Sequence, residues 1–216
     1  MNSLLAKAAV SYLLGSVVGS LLIGRLRGGV DIRRLGSGNA GGTNALRTQG
    51  KGFAFWVMVI DVGKGWMAAG LIGSLAVPGL EAPAPQWRVW LPCACGIAAI
   101  VGHVYPIWYG FRGGKGVATL VGVVIGLDAW LLVPMLLTWF AAVVVVGFVG
   151  LASMAAAVSI PLYALLGGAE PRAPLVAFGV AAALIIIFTH RSNVERMFAG
   201  TEPRARRLWL LGRRRA

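Results

Sequence analysis

Acidic residues are scarce in this sequence. Asp and Glu number seven against twenty Lys and Arg, and the four charged types together make up 12% of 216 residues. Ordinary soluble domains carry about one-quarter charged residues, so there is too little polar side chain here to cover a soluble surface. With 58% hydrophobic residues and a mean hydropathy of +0.79, the apolar excess is too large to bury within a chain of this length. Cysteine is nearly absent too. The two present, Cys93 and Cys95, lie in an apolar stretch with no histidine beside them. That makes a poor metal site and reads as a pair of buried packing residues.

What fills the chain instead is long uncharged runs, at 10–24, 71–80, 89–111, 117–127, 129–169 and 173–189. Such runs make helices that cross a bilayer. The fold class is therefore all-α, a polytopic membrane protein, and its first partner is the lipid bilayer. The net charge of +13 would suggest nucleic acid in a soluble protein. Here 16 of the 20 basic residues cluster at 25–51, at Arg112 and Lys115, and at 191–215. That is the pattern of loops retained on the cytoplasmic side, and there is no soluble domain to carry nucleic acid.

The first apolar run is followed by Arg25 and Arg27, with no small-residue cleavage site before them. It reads as an uncleaved span with its N-terminus outside, mildly opposed by Lys7. Spans are expected at 4–23, 53–77, 89–105 and 174–188, with a proline-rich outer loop at 78–86. The block 119–168 has one charge, Asp128. A cytoplasmic basic tail requires this block to cross an odd number of times, and three crossings of about 17 residues each fit. Asp128 marks the outer turn and 147–153 the inner one. The count is seven transmembrane helices in a single domain, 1–216, with the C-terminus cytoplasmic. The long polar stretches then share the cytoplasmic face of the cell (inner) membrane, where any chemistry belongs. The tail at 206–216, rich in Arg, Leu and Trp, reads as an amphipathic anchor to anionic lipid.

Three polar motifs stand on that face. The first, "GSGNAGGTNALR" at 36–47, satisfies G-x-G-x-x-G at Gly36, Gly38 and Gly41, but no strand or soluble βαβ unit surrounds it, so the dinucleotide reading fails. What remains is backbone N–H freed by glycine, hydroxyls, amides and the forked cation Arg47, a loop suited to a phosphate or carbonyl oxygen. The second is "HVYPIWYGFRGGKGVAT" at 103–119. It lacks the first glycine of a Walker A loop, yet Gly113, Gly114 and Gly116 leave the backbone open around Lys115. Lys115 is either a phosphate-holding lysine or a basic anchor at the start of a span. In the third, "HRSNVERMFAGTEP" at 190–203, His190 and Asn193 lie one helical turn apart; they are ligand donors, or His190 is a general base, or the cations of this stretch cap a helix end. Asp61 and Lys64, in "DVGKG", fall inside the second span, where an isolated charge costs roughly 2.5–3.5 kcal/mol. Their i, i+3 spacing lets them pair, as a structural ion pair or as a link to the site. Lys51 reads as an interfacial anchor. An H-x-x-x-x-D acyltransferase motif is absent at His103, and His190 with Glu195 matches it poorly.

In this order the three motifs, with "DVGKG", resemble the bacterial acyl-phosphate:glycerol-3-phosphate acyltransferases, the PlsY family, over nearly the whole chain. The resemblance implies seven spans with the N-terminus outside. It also implies transfer of a fatty acyl group from acyl phosphate to the sn-1 hydroxyl of glycerol 3-phosphate, giving lysophosphatidic acid and phosphate without a cofactor or metal. Ser37, Asn39, Gly41, Thr43, Asn44 and Arg47 would help hold phosphate. Lys115, with the backbone of Gly113, Gly114 and Gly116, would bridge the two substrates' phosphates. His190 and Asn193 would hold glycerol 3-phosphate, and His103, Glu202 and Ser153 are further matching positions. The catalytic set is then Lys115, Arg47, His190 and Ser37. The proton acceptor is His190 or a substrate phosphate oxygen, and the family's chemistry favours the latter. The family often carries a serine where this chain has Gly150. The soluble enzyme that makes acyl phosphate is a candidate partner. Two other readings remain from the residues themselves: a small transporter or channel for an anionic solute, and a structural membrane partner of that soluble enzyme.

Overall fold

The computed structural model describes residues 2–76, 84–167, 170–206 and 208–210, and among them there are helices and turns but no strand. The chain divides into two compact units, Met1–Ala129 and Trp130–Ala216.

In the first unit α1 (Asn2–Gly15) and α2 (Gly19–Leu26) are separated by a break and bent by 48°. The first expected span is thus two helices, not one. A polar segment leads to α3 (Gly42–Gln49), and α4 (Lys51–Trp66) continues through a π turn at Met67–Ile72. After the short α5 (Pro85–Arg88) come α6 (Leu91–Val104) and α7 (Val117–Leu127). The outer loop expected at 78–86 lies largely outside the described residues. In lipid, helices gain little from hydrophobic burial and pack by close backbone approach at small residues. Two pairs use this device. Gly15 and Gly102 let α1 and α6 meet, because a Cβ on either would strike the backbone of the other helix, at Ala99 or Tyr12. Gly65 and Gly122 do the same for α4 and α7, against Thr119 and Val62. Lys7, which opposed the sequence-based orientation, is buried and donates to Gly73 O at 3.1 Å, where the π turn leaves the helix.

The second unit holds α8 (Leu132–Val146), α9 (Val149–Leu166), α10 (Arg172–Thr189) and α11 (Arg191–Phe198). The helix α9 packs on both α8 and α10, and Gly179 of α10 admits the ring of Pro161 from α9. Gly147, in the left-handed region at φ 84°, ends α8, and α9 starts two residues later. Ser153 therefore sits inside α9 and not in the inner turn where the sequence placed it. Arg204 lies over Phe148 and Trp209, 4.7 and 4.0 Å from the ring centroids. Trp209 Nε1 donates to Val145 O, and the Ala205 N–H donates to Gly147 O. Arg204, Ala205 and Trp209 thus strap the α8–α9 turn; most of the anchor expected at 206–216, residues 207 and 211–216, lies outside the described residues.

Among the described residues five helices are long and apolar enough to cross a membrane, and the bent α1–α2 pair makes up to six. The block 119–168 does fold as three helices, but they are unequal: 11, 15 and 18 residues. At a rise of 1.5 Å per residue α7 is about 16 Å long, half the hydrocarbon thickness. It is short because the polar loop before it is folded back on α6 and Asp128 ends it in extended backbone.

Candidate active site

The first motif is assembled by one buried amide. Asn44, 2% exposed, donates through Nδ2 toward Ile32 O, Leu35 O and Asn39 O, each at 3.0 Å, and its Oδ1 accepts from the Ser37 N–H at 3.0 Å. Gly36, at φ 56°, lies over this amide with no room for a Cβ. Asn44 thus organises the loop from within and presents nothing outward. Ala45, with Ile32, packs onto Phe53, Ala54 and Val57 of α4, and Ala40 packs with Val18 and Leu21 beside Tyr109. Ser20 Oγ donates to Ala40 O at 2.8 Å. With the loop so anchored, Ser37, Thr43 and Arg47 are exposed and Asn39, half-buried, has Nδ2 beside Gly41. Thr43 and Arg47 stand i, i+4 on one face of α3.

A partner that sequence reading missed ties the first motif to the second. Asp31 accepts from the Arg33 N–H and pairs with its guanidinium at 2.8–3.2 Å. The same guanidinium donates to Tyr109 O at 3.1 Å and Arg112 O at 2.8 Å. The Arg33 side chain holds the Asp31 carboxyl below its ordinary range, and Asp31 in turn raises Arg33. The acid–x–base spacing was the available signal, hidden among cations read only as topology markers.

In the second motif Gly110 and Phe111 turn the chain with positive φ, 65° and 59°. The Gly113 N–H donates to Val104 O and the Gly114 N–H to His103 O, both at 3.1 Å. A Cβ on Gly113 would strike His103 O, and one on Gly114 would strike His103 Nε2. These two glycines are therefore required by packing against His103, whatever they also leave open to a ligand. Lys115, half-buried, follows them, and Gly116, at φ 87°, starts α7. His103 itself is 2% exposed, with Nδ1 2.8 Å from Lys64 Nζ. The sequence offered it as a substrate contact; the structure encloses it.

The third motif lies in the second unit. His190 ends α10 and precedes α11, with Nδ1 donating to Ile186 O at 2.8 Å. A carbonyl can only accept, so the hydrogen is on Nδ1. The Asn193 N–H donates to His190 O, and Asn193 Nδ2 donates to Glu202 Oε1 at 2.6 Å. Arg196 Nε pairs with Glu202 Oε2 at 2.7 Å. Glu202, its side chain 6% exposed, thus cross-links the helix to the strap behind it. Gly150 lies against Asn193; a Cβ there would be 2.9 Å from its Cβ, Cγ and Nδ2. The asparagine occupies the space a larger residue at 150 would need. Ser153 Oγ donates to Val149 O, within its own helix.

Each motif contains a helix start, at Gly41 before α3, Gly116 before α7 and His190 before α11, with no acidic residue in any of the three first turns. Unpaired N–H groups at a helix start attract anions. The fold and these loops define an all-helical integral membrane protein whose polar segments place amide donors at helix starts, with Lys115 just before α7 and Arg47 in the last turn of α3. Comparison with known proteins then names the family. The family model described as glycerol-3-phosphate acyltransferase matches residues 5–200. The chain is 42% identical over 197 residues to the glycerol-3-phosphate acyltransferase of Synechococcus sp. (strain CC9902), covering 91% of this chain and 92% of that one. Two crystal structures of the integral membrane glycerol 3-phosphate acyltransferase PlsY (YgiH) superpose on it. The glycerol 3-phosphate form gives TM-score 0.79 at 33% identity, and the lysophosphatidic acid form 0.78 at 32%; each match covers 94% of this chain and 95% of the other. The chain belongs to the glycerol-3-phosphate acyltransferase family of the PlsY type.

Proposed function

We propose that this chain is a membrane enzyme that moves a fatty acyl group from acyl phosphate to the sn-1 hydroxyl of glycerol 3-phosphate. The products are lysophosphatidic acid and inorganic phosphate. The observation that carries the reading is that each motif contains a helix start, with Lys115 just before α7 and Arg47 on α3, one turn beyond Thr43. Such a set favours two phosphorylated substrates over neutral ones.

The roles follow from charge. Ser37, Asn39, Thr43 and Arg47, with the backbone at Gly41, hold the phosphate of the acyl donor. Lys115, with the backbone of Gly113, Gly114 and Gly116, neutralises both phosphates so that two anions can approach. His190 and Asn193 hold glycerol 3-phosphate, Asn193 being aimed by Glu202. Asn44, Ser153 and Glu202 act by fixing backbone and partners. The sn-1 oxygen attacks the acyl carbonyl carbon and forms the ester C–O bond. The acyl–O–phosphate bond breaks, its electron pair leaves with phosphate, and the hydroxyl proton passes to a phosphate oxygen. Phosphate is already a good leaving group, so positioning and oxyanion stabilisation supply the acceleration.

In the same reading the chain 1–216 works as one acyltransferase domain. Its seven crossings include α7, the N-terminus lies outside, and the motifs and basic tail face the cytoplasm at the inner membrane. The soluble enzyme that makes acyl phosphate delivers its product to this basic face. The decisive experiment mixes the purified protein in detergent with acyl phosphate and glycerol 3-phosphate. Lysophosphatidic acid and phosphate are expected in equal amounts. Product from acyl-CoA or acyl carrier protein instead, or acylation at the sn-2 position, refutes the assignment.

A further inference from the structure

We propose that Asp61, Lys64 and His103 form one buried polar hub that sets the lysine-bearing loop 113–116 against the broken first span. They are positioning residues for that loop. The catalytic meaning of the hub rests on the acyl-transfer reading above; its geometry does not.

Lys64 and Asp61 are 3% and 1% exposed on the span Lys51–Ile72, their charged atoms 2.9 Å apart. An ion pair is not all they make. The three ammonium hydrogens of Lys64 have three acceptors: Asp61 Oδ1, Val17 O at 2.8 Å, and His103 Nδ1 at 2.8 Å. Asp61 Oδ1 also accepts from the Gly19 N–H at 3.0 Å and lies 3.4 Å from His103 Nδ1. Val17 and Gly19 flank the break between α1 and α2. A helix interrupted in an apolar layer leaves carbonyls and N–H groups without intrahelical partners, and these must be met by side chains. The pair supplies one donor and one acceptor at that break, so it splices the first span.

His103 carries the hub to the loop. With Lys64 donating to Nδ1, the ring hydrogen is on Nε2, the atom that faces Gly114. The backbone of the same residue accepts from the Gly114 N–H, and its neighbour Val104 accepts from Gly113. Ring and backbone together fold the loop onto the end of α6 immediately before Lys115. The spliced side leads to the first motif as well, because Ser20, one residue past Gly19, holds Ala40 O. A plain buried ion pair can be exchanged for apolar residues at little cost. This one cannot, because its atoms also hold backbone and ring.

The test uses the full chain in detergent and reads hydrogen exchange together with turnover. His103→Ala is expected to speed amide exchange at 113–116 while α8–α10 stay protected. It should lower kcat by about a hundredfold, the scale of a 1 Å misplacement, with KM changing less. His103→Asn keeps an acceptor for Lys64 and should recover part of kcat; it also serves if the alanine variant does not fold. Gly114→Ala should be severe alone, but in the His103→Ala background it should add little, because the ring it strikes is gone. Unchanged exchange at 113–116, or multiplying losses in the double variant, overturns the hub. Faster exchange in a protein whose wild type makes no lysophosphatidic acid upholds the hub and refutes the acyl-transfer reading.

Discussion

The loops before α3 and α7 are both glycine-rich, yet they are held by opposite means. Residues 36–44 hang on a side chain, the Asn44 amide, which reaches four backbone groups. Residues 113–116 hang on backbone bonds and on glycines pressed against a histidine. A dense run of donors in a sequence is therefore not a list of ligand contacts. The most polar-looking residue of the first loop is internal scaffold, and the barest residues of the second are packed. In the first loop the side chains of Ser37, Thr43 and Arg47 stay exposed, and in the second Lys115 is half-buried behind the packed glycines.

Mutations sharpen this contrast. The largest effect is expected from Arg47→Ala and Lys115→Ala. Each should reduce lysophosphatidic acid formation by about a hundredfold or more, as when a preorganised charge-stabilising donor is removed, with the detergent melting curve nearly unmoved. A variant retaining normal turnover would place its residue outside the chemistry. Next comes Asn44→Ala, which strips partners from buried backbone and should cost about 3 kcal/mol. Here the melting temperature falls before activity is assayed, the reverse of the Arg47 pattern. An Asn44→Ala protein that melts normally but does not turn over would break the contrast. Gly150→Ala should be smaller, displacing Asn193 and raising KM for glycerol 3-phosphate roughly tenfold, with kcat kept; steady-state kinetics separate the two.

A pH effect comes after these. The folded Asp31 carboxyl titrates below its ordinary 3.8 because Arg33 bonds to it. The stability it lends is complete above that ordinary value and is lost as pH falls through the lowered one. The pair is partly exposed, so the loss stays under about 1 kcal/mol. Melting curves of wild type and Asp31→Asn should converge in acid and separate above about pH 4. Smallest of all is Lys51→Ala: an exposed first residue of α4 should change stability by less than about 0.5 kcal/mol and leave turnover intact.

Much of the fold was legible because lipid imposes a severe rule: apolar runs must become helices. Helices at α4, α6 and α8–α10 follow from that rule, and the turns at Asp128 and Gly147 were marked by the one charge and a glycine. The break after Gly15 was not marked, since 10–24 reads as one uninterrupted apolar run. The groups that tolerate the break, Asp61 and Lys64, lie some forty residues away in sequence. Ser153 was misplaced because small residues look alike in a turn and in a tightly packed helix. Asn44 and His103 entered the candidate site through the family resemblance; both are buried.

By itself the amino-acid order determined that the chain is helical and membrane-bound, that its cations collect in a few loops, and which three motifs carry them. Those are local properties, decided by how much apolar length and charge each segment brings to lipid and water. Only the tertiary structure decided which polar residues turn inward to hold backbone and which remain to meet a ligand. That division depends on partners distant in sequence, and in an apolar medium every buried donor must find one.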